Sequence, residues 1–235
     1  MRSKAKQIAI MLAAALALAQ CGWKPSMPKL SWPWGGDKKE TGETASGSPP
    51  VVTPIFGQLL AHGLPEGFAP PEEQAVPEGR YLRKSPLVGE TMENWKQLLS
   101  VSAIEGLGAK NEPTIPEIQK LLVEGIRKKC PESFSFAEGF DAGPGLAGTP
   151  HSAFVVGCGL TGGGRGNFSE MALIVLIAGA SDHYEVEWAE QARPSIRPPA
   201  IERPYWQARL NLLQPLKLCP IVEGEEAPYP SCLGR

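Results

Sequence analysis

The chain has 235 residues, of which 42% are hydrophobic and 20% charged, with a formal net charge of −2. Its Lys and Arg residues form no clustered patch, which argues against a nucleic-acid partner. The length fits one domain with tails, large enough to bury a core of its own.

Arg2, Lys4 and Lys6 make a basic start with no acidic residue beside them, and residues 8–19 then read IAIMLAAALALA. A spanning helix needs roughly 20 apolar residues, so this run is too short. It has the length of a secretory h-region instead, and residues 1–20 are expected to be a signal peptide. Two processing sites compete. Ala17-Leu18-Ala19 is an A-x-A pattern that would release a soluble protein beginning at Gln20. Leu18-Ala19-Gln20-Cys21-Gly22 resembles the lipobox of bacterial lipoproteins. That family usually has Gly, Ala or Ser before the cysteine, and Gln20 departs from this. The resemblance implies that Cys21 is acylated, and Gly22 after it implies sorting to the outer membrane.

The five cysteines are Cys21, Cys130, Cys158, Cys219 and Cys232. An odd thiol in an oxidising compartment needs a partner or a modification. Acylation of Cys21 would leave four, enough for two disulfides. Processing there would also remove Arg2, Lys4 and Lys6, leaving 20 basic against 25 acidic residues.

Residues 21–54 read as a flexible tether, because Ser, Gly, Pro, Thr and charged residues cannot bury enough surface to offset chain entropy. Trp23, Trp32 and Trp34 lie in GWKPSMPKLSWPWGG with Lys24 and Lys29. Indole rings and Lys favour the membrane–water interface. Docking in a partner as a Pro-rich ligand, or packing back on the domain, are the other readings.

Residues 55–192 are expected to form the globular domain. Up to Pro86 the chain is dense in Pro and Gly, with one strand expected at residues 79–84. Trp95, Leu99, Val101 and Ala103 alternate with Lys96, Ser100 and Ser102 as a half-buried strand would. Thr114 and Glu117 form a capping box, and Pro116 is tolerated in a first helical turn. Ile118, Leu121, Leu122, Gly125, Ile126 and Cys130 then make one apolar stripe at helical spacing. Arg127, Lys128 and Lys129 sit where the helix dipole favours cations, and Pro131 stops the helix.

Strands are expected at residues 133–138, 152–158 and 171–178, the last apolar on both faces and so central. Tyr184, Val186 and Trp188 alternate with Glu185 and Glu187 in a one-sided strand, entered through a turn at residues 179–182. One main helix packed on an antiparallel sheet gives an α+β fold. In that arrangement Cys130 and Cys158 would join helix to strand, and Cys219 and Cys232 would close the tail. Residues 193–235 form a Pro-rich extension packed on the domain, with Trp206, Leu210 and Leu213 on a short helix.

Chemistry is sparse. His62, His151 and His183 have no ligand-type residue at metal-site spacing, so no metal and no cofactor are expected. Ser181-Asp182-His183 is a polar turn, since triad members meet in space and not along the chain. No catalytic residue is assigned. The run GCGLTGGGRG at residues 157–166 lacks the Lys-Ser/Thr close of a P-loop. Gly162, Gly163, Gly164 and Arg165 are expected to form an interaction loop. Gly89-Glu90, Glu93-Asn94-Trp95 before LLSVS, and a helix ending in Cys130-Pro131 resemble small exported bacterial proteins of unknown function. That resemblance implies a domain and no activity.

The expectation is an exported envelope lipoprotein, held to the membrane by its lipid, facing the periplasm and binding another envelope protein or component. A soluble periplasmic domain that binds a small ligand between helix and sheet is the alternative. A hydrolase with residues the sequence does not assemble is a third reading.

Overall fold

A computed structural model describes residues 50–108, 113–161 and 168–234. Its strands in chain order are β1 (Pro50–Ile55), β2 (Gln58–Gly63), β3 (Glu72–Glu73), β4 (Arg80–Pro86) and β5 (Gln97–Ile104). The helix α1 (Ile115–Lys129) follows, then β6 (Phe134–Glu138), β7 (His151–Thr161), β8 (Phe168–Ala178) and β9 (His183–Ala192). The chain ends with α2 (Arg203–Leu212), β10 (Lys217–Pro220) and the short α3 (Pro230–Leu233). The fold is α+β, built on antiparallel sheets.

Seven strands pair in the order β3-β4-β5-β9-β8-β7-β6, every neighbour antiparallel. β8 lies in the interior of this sheet, as its doubly apolar run requires. One face of β8 carries Leu173, Val175 and Ile177, and the other carries Ala172, Ile174 and Leu176. Each set joins a different core. The sheet is therefore covered on both sides.

On one side lies α1. Thr114 donates its backbone N–H to Glu117 Oε2 at 2.8 Å, closing the expected cap. The buried face of the helix is Ile115, Ile118, Leu122 and Val123, packed on Phe154, Val156, Ile174 and Leu176. Burying one such side chain stabilises by about 1.5–3 kcal/mol. Leu121, placed on the stripe by sequence, is 36% exposed, while Val123 is 6% exposed. The helix is turned about its axis from the expected stripe, and it packs chiefly on β7, with β8 and β6.

On the other side lies a three-stranded sheet, β1-β2-β10, with α2 beside it. Ile55 and Leu60 from this sheet and Trp206, Leu210 and Leu213 from the α2 region share one core with Leu99, Val101, Val175 and Val186. Three segments thus differ from expectation. Residues 50–54, read as tether, form most of β1. The segment after residue 192 does more than pack on the domain, since it supplies β10 and core side chains. The Pro- and Gly-rich stretch to Pro86 also holds four strands where one was expected.

Cys130 is joined to Cys158 with a Cα–Cα distance of 5.8 Å, and Cys219 to Cys232 at 5.6 Å. The first ties the end of α1 to β7. The second ties β10 to α3. Residues 1–49, including Cys21, Trp23, Trp32 and Trp34, lie outside the described residues, and so do Gly162, Gly163, Gly164 and Arg165. Among the described residues no helix is long and apolar enough to cross a membrane.

Candidate functional site

The face of the large sheet under α1 divides in two. Over β6, β7 and β8 it is apolar and covered by the helix. Over β9, β5 and β4 the same face carries Glu185 and Glu187, with Ser102 and Ser100 directly opposite them on β5 and Lys84 opposite Ser100 on β4. The alternating Glu residues were expected on a solvated face. They are half-buried instead. Burial lifts the Glu185 carboxyl to about 7. Burial, helped by the charges of Glu185 and Glu170 and opposed by Lys84, lifts Glu187 to about 8. A carboxyl held protonated near neutral pH donates a hydrogen bond where an ionised one accepts. The clue to this in sequence is the doubly apolar β8 next door, which signals cover on both faces of the sheet.

Beside this strip a small cavity of about 50 Å³ opens between β5, β9 and the start of α1. Leu107, Ile115, Ile118 and Leu176 line it with Ser102, His183 and Glu185. His183 is 7% exposed, and its Nδ1 has no hydrogen-bond partner among the described residues. Burial lowers its pKa, against the raising effect of Asp182. Asp182 itself is committed to structure: its Oδ1 accepts from Gly106 N–H at 2.7 Å, and its Oδ2 lies 3.5 Å from the Tyr184 hydroxyl. The turn residues Ser181, Asp182 and His183 therefore assemble no triad.

The other histidines serve locally. His62 is 2% exposed with Nδ1 2.9 Å from the Gly63 carbonyl, and burial lowers its pKa. His151 is exposed, with Nδ1 2.7 Å from the Thr149 carbonyl. Among the described residues no three His, Cys, Asp or Glu side chains gather as a metal-binding group.

A larger feature lies at the end of the sheet. Between α1 and the edge strand β6 runs an open groove of about 500 Å³. Its floor is Val123 and Phe136. Its walls are Gln119, Lys120, Glu124 and Arg127 from the helix and Glu138 from the strand. Gln119 Nε2 donates to Glu138 Oε2 at 2.6 Å, and the Arg127 guanidinium lies 4.9 Å from the centre of the Phe134 ring. The sequence marks none of these residues as a site: Arg127 reads as a cation favoured by the helix dipole, and Lys120 and Glu124 lie off the apolar stripe. The signal available was SFSFA, a strand with no Lys, Pro or charge to blunt an edge.

No protein-family model matches the sequence, and no curated protein matches it. The chain is similar to a protein of known crystal structure from Bacteroides thetaiotaomicron, at 13% identity and a TM-score of 0.34 over 72% of this chain. The chain spans about half, 47%, of the length of that neighbour.

Proposed function

We propose that this protein is an exported envelope lipoprotein whose globular domain binds another component of the envelope, with the groove between α1 and β6 as its contact surface. The observation that carries this reading is the groove itself: an open cleft of about 500 Å³ with an apolar floor and charged walls, flanked by an edge strand. Such an edge can accept a further strand through backbone hydrogen bonds, with side-chain pockets setting specificity. The two disulfides fit an oxidising compartment. Lipid at Cys21, with residues 22–49 as spacer, would raise the concentration of the domain near partners on the same membrane.

The cavity at His183 and Glu185 favours the small-ligand alternative less. Pockets for small molecules run to about 300–1,000 Å³, and about 50 Å³ has room for little more than a water or two. Its apolar wall and convergent polar groups keep it as the second reading.

Intact mass of the protein from native membranes, before and after reduction and alkylation, tests the tether. An acylated Cys21 terminus with four cysteines alkylated only after reduction is expected. A terminus at Gln20 would make the protein soluble and remove the membrane from the proposal.

A further inference from the structure

Two pairs of cations that lie far apart in sequence meet at one end of the large sheet. Lys128 and Lys129 close α1, and the disulfide from Cys130 to Cys158 fixes that helix end to β7. Val156 and Cys158 face the helix, so Gly157 and Gly159 face the other way. On that other face lies the segment after β9, Arg193-Pro194-Ser195-Ile196-Arg197-Pro198-Pro199. Ser195 N–H donates to the Gly159 carbonyl at 2.7 Å, and Arg197 N–H to the Ser195 hydroxyl at 3.0 Å. A Cβ on Gly157 would stand 2.7 Å from Pro199 Cγ, and one on Gly159 would collide with the Arg197 carbonyl. The segment is therefore seated against the sheet, and its three prolines fix their own φ angles.

Ile196 is 81% exposed, more than any other large hydrophobic side chain among the described residues. Arg193 and Arg197 on either side of it are exposed, and so are Lys128 and Lys129. None of these four cations makes an ion pair among the described residues. Arg127 and Glu124 face the groove and offset one another. The carboxylates left near this end are Glu132, beside Pro131, and the half-buried Glu170 on β8. The end is thus positive on a chain whose acids outnumber its bases.

We infer that this end of the domain rests on an anionic phospholipid surface. Ile196 enters the acyl boundary, and the two cation pairs meet headgroup phosphates on either side of the sheet. The inference rests on the reading of the protein as membrane-tethered, and it adds an orientation. Charge alone would suit any anion, and two observations select a bilayer. The cations come from both faces of the sheet, so their partner must be broad and flat. An aliphatic side chain held out between two guanidinium groups finds an apolar medium at the depth where they find phosphate. The spacer, residues 22–49, reaches up to about 95 Å when extended, enough to let this end settle from any point of attachment. In this pose α1 runs down toward the membrane, and the groove beside β6 opens sideways to partners on the same surface.

The test is flotation of the chain from residue 21 onward, with Cys21→Ser to remove the acyl site. Mixed phosphatidylethanolamine–phosphatidylglycerol vesicles are compared with phosphatidylcholine vesicles. Binding to the anionic vesicles is expected, and it should weaken as salt is raised. Arg193→Gln with Arg197→Gln should weaken it about 20-fold, and Lys128→Gln with Lys129→Gln by a similar factor. Ile196→Ser should weaken it about tenfold. The segment before Pro50 is common to every variant, so its own affinity for lipid cancels in these ratios. Circular dichroism and melting check that each variant is folded. Equal binding by all variants overturns the inference. Loss in the charge variants with Ile196→Ser unchanged overturns the bilayer and leaves an acidic protein as the partner. Loss in one cation pair alone overturns the shared plane. An acylated Cys21 in the intact mass, with no vesicle binding, overturns the orientation and leaves the lipoprotein reading standing. A terminus at Gln20 overturns that reading whatever the vesicles show.

Discussion

The hydroxyl of Tyr184 on β9 donates to the carbonyl of Ile55 on β1 at 3.2 Å, across 129 residues of sequence. The bond links the seven-stranded sheet to the three-stranded one inside their shared core. Desolvation there, with Asp182 nearby, raises the Tyr184 pKa well above its ordinary range, so the phenol remains a donor. Tyr184→Phe keeps the ring and strands the carbonyl, and should cost about 1–2 kcal/mol. Urea denaturation checks this, and an unchanged midpoint would show that the bond contributes nothing.

Removal of the helix–sheet disulfide by Cys130→Ser with Cys158→Ser should cost about 3.6 kcal/mol in the chain-entropy model. The bridged residues are 28 apart, against 13 for Cys219 and Cys232. The same model makes loss of the longer loop more costly by roughly 0.7 kcal/mol. Denaturation of the two double-serine variants side by side gives the order. A reversed order would place the main effect in native-state packing.

The half-buried acids predict a pH dependence. Folding raises Glu187 from its ordinary 4.5 to about 8, so the folded state binds a proton that the unfolded state has released between those values. Stability from this group is greatest below about 4.5, declines as pH rises and levels off above about 8. Glu187→Gln cannot ionise. Its melting temperature should gain on the wild type steadily from pH 5 to pH 8.5, and parallel curves would show that Glu187 meets water freely.

Thr114→Ala breaks the capping box and should cost about 1 kcal/mol. The loss should be local, with amide exchange quickening first at Ile118, whose N–H donates to the Thr114 carbonyl at 3.0 Å. Uniform quickening over the whole sheet would mean that α1 opens only with the rest of the domain.

What the sequence made legible follows from local chemistry. The ends of α1 are written in Thr114, Glu117 and Pro131, and the hairpin into β9 in residues 179–182, because caps and turns act over a few residues. The rotation of α1, which exposes Leu121 and buries Val123, depends on which strands lie below it, and periodicity carries no such information. The β1–β2 hairpin escaped notice because its positive φ of 53° belongs to Phe56, where turn chemistry leads one to look for Gly or Asn. The groove was invisible for a related reason. Arg127 and Glu138 are ordinary surface residues until the fold sets a helix beside an edge.

The position of Pro50 has a mechanical consequence. β1 lies at the edge of its sheet and pairs only with β2, from Pro50 opposite Gly63 to Ile55 opposite Gln58. Any tension carried by the chain before Pro50 enters at the open end of this hairpin. A pull along the strand loads the whole ladder in shear, whereas a pull across it peels the pairs one at a time. Under such a load β1 should yield before the sheet stapled by Cys130 and Cys158, while the rest of the domain keeps its shape.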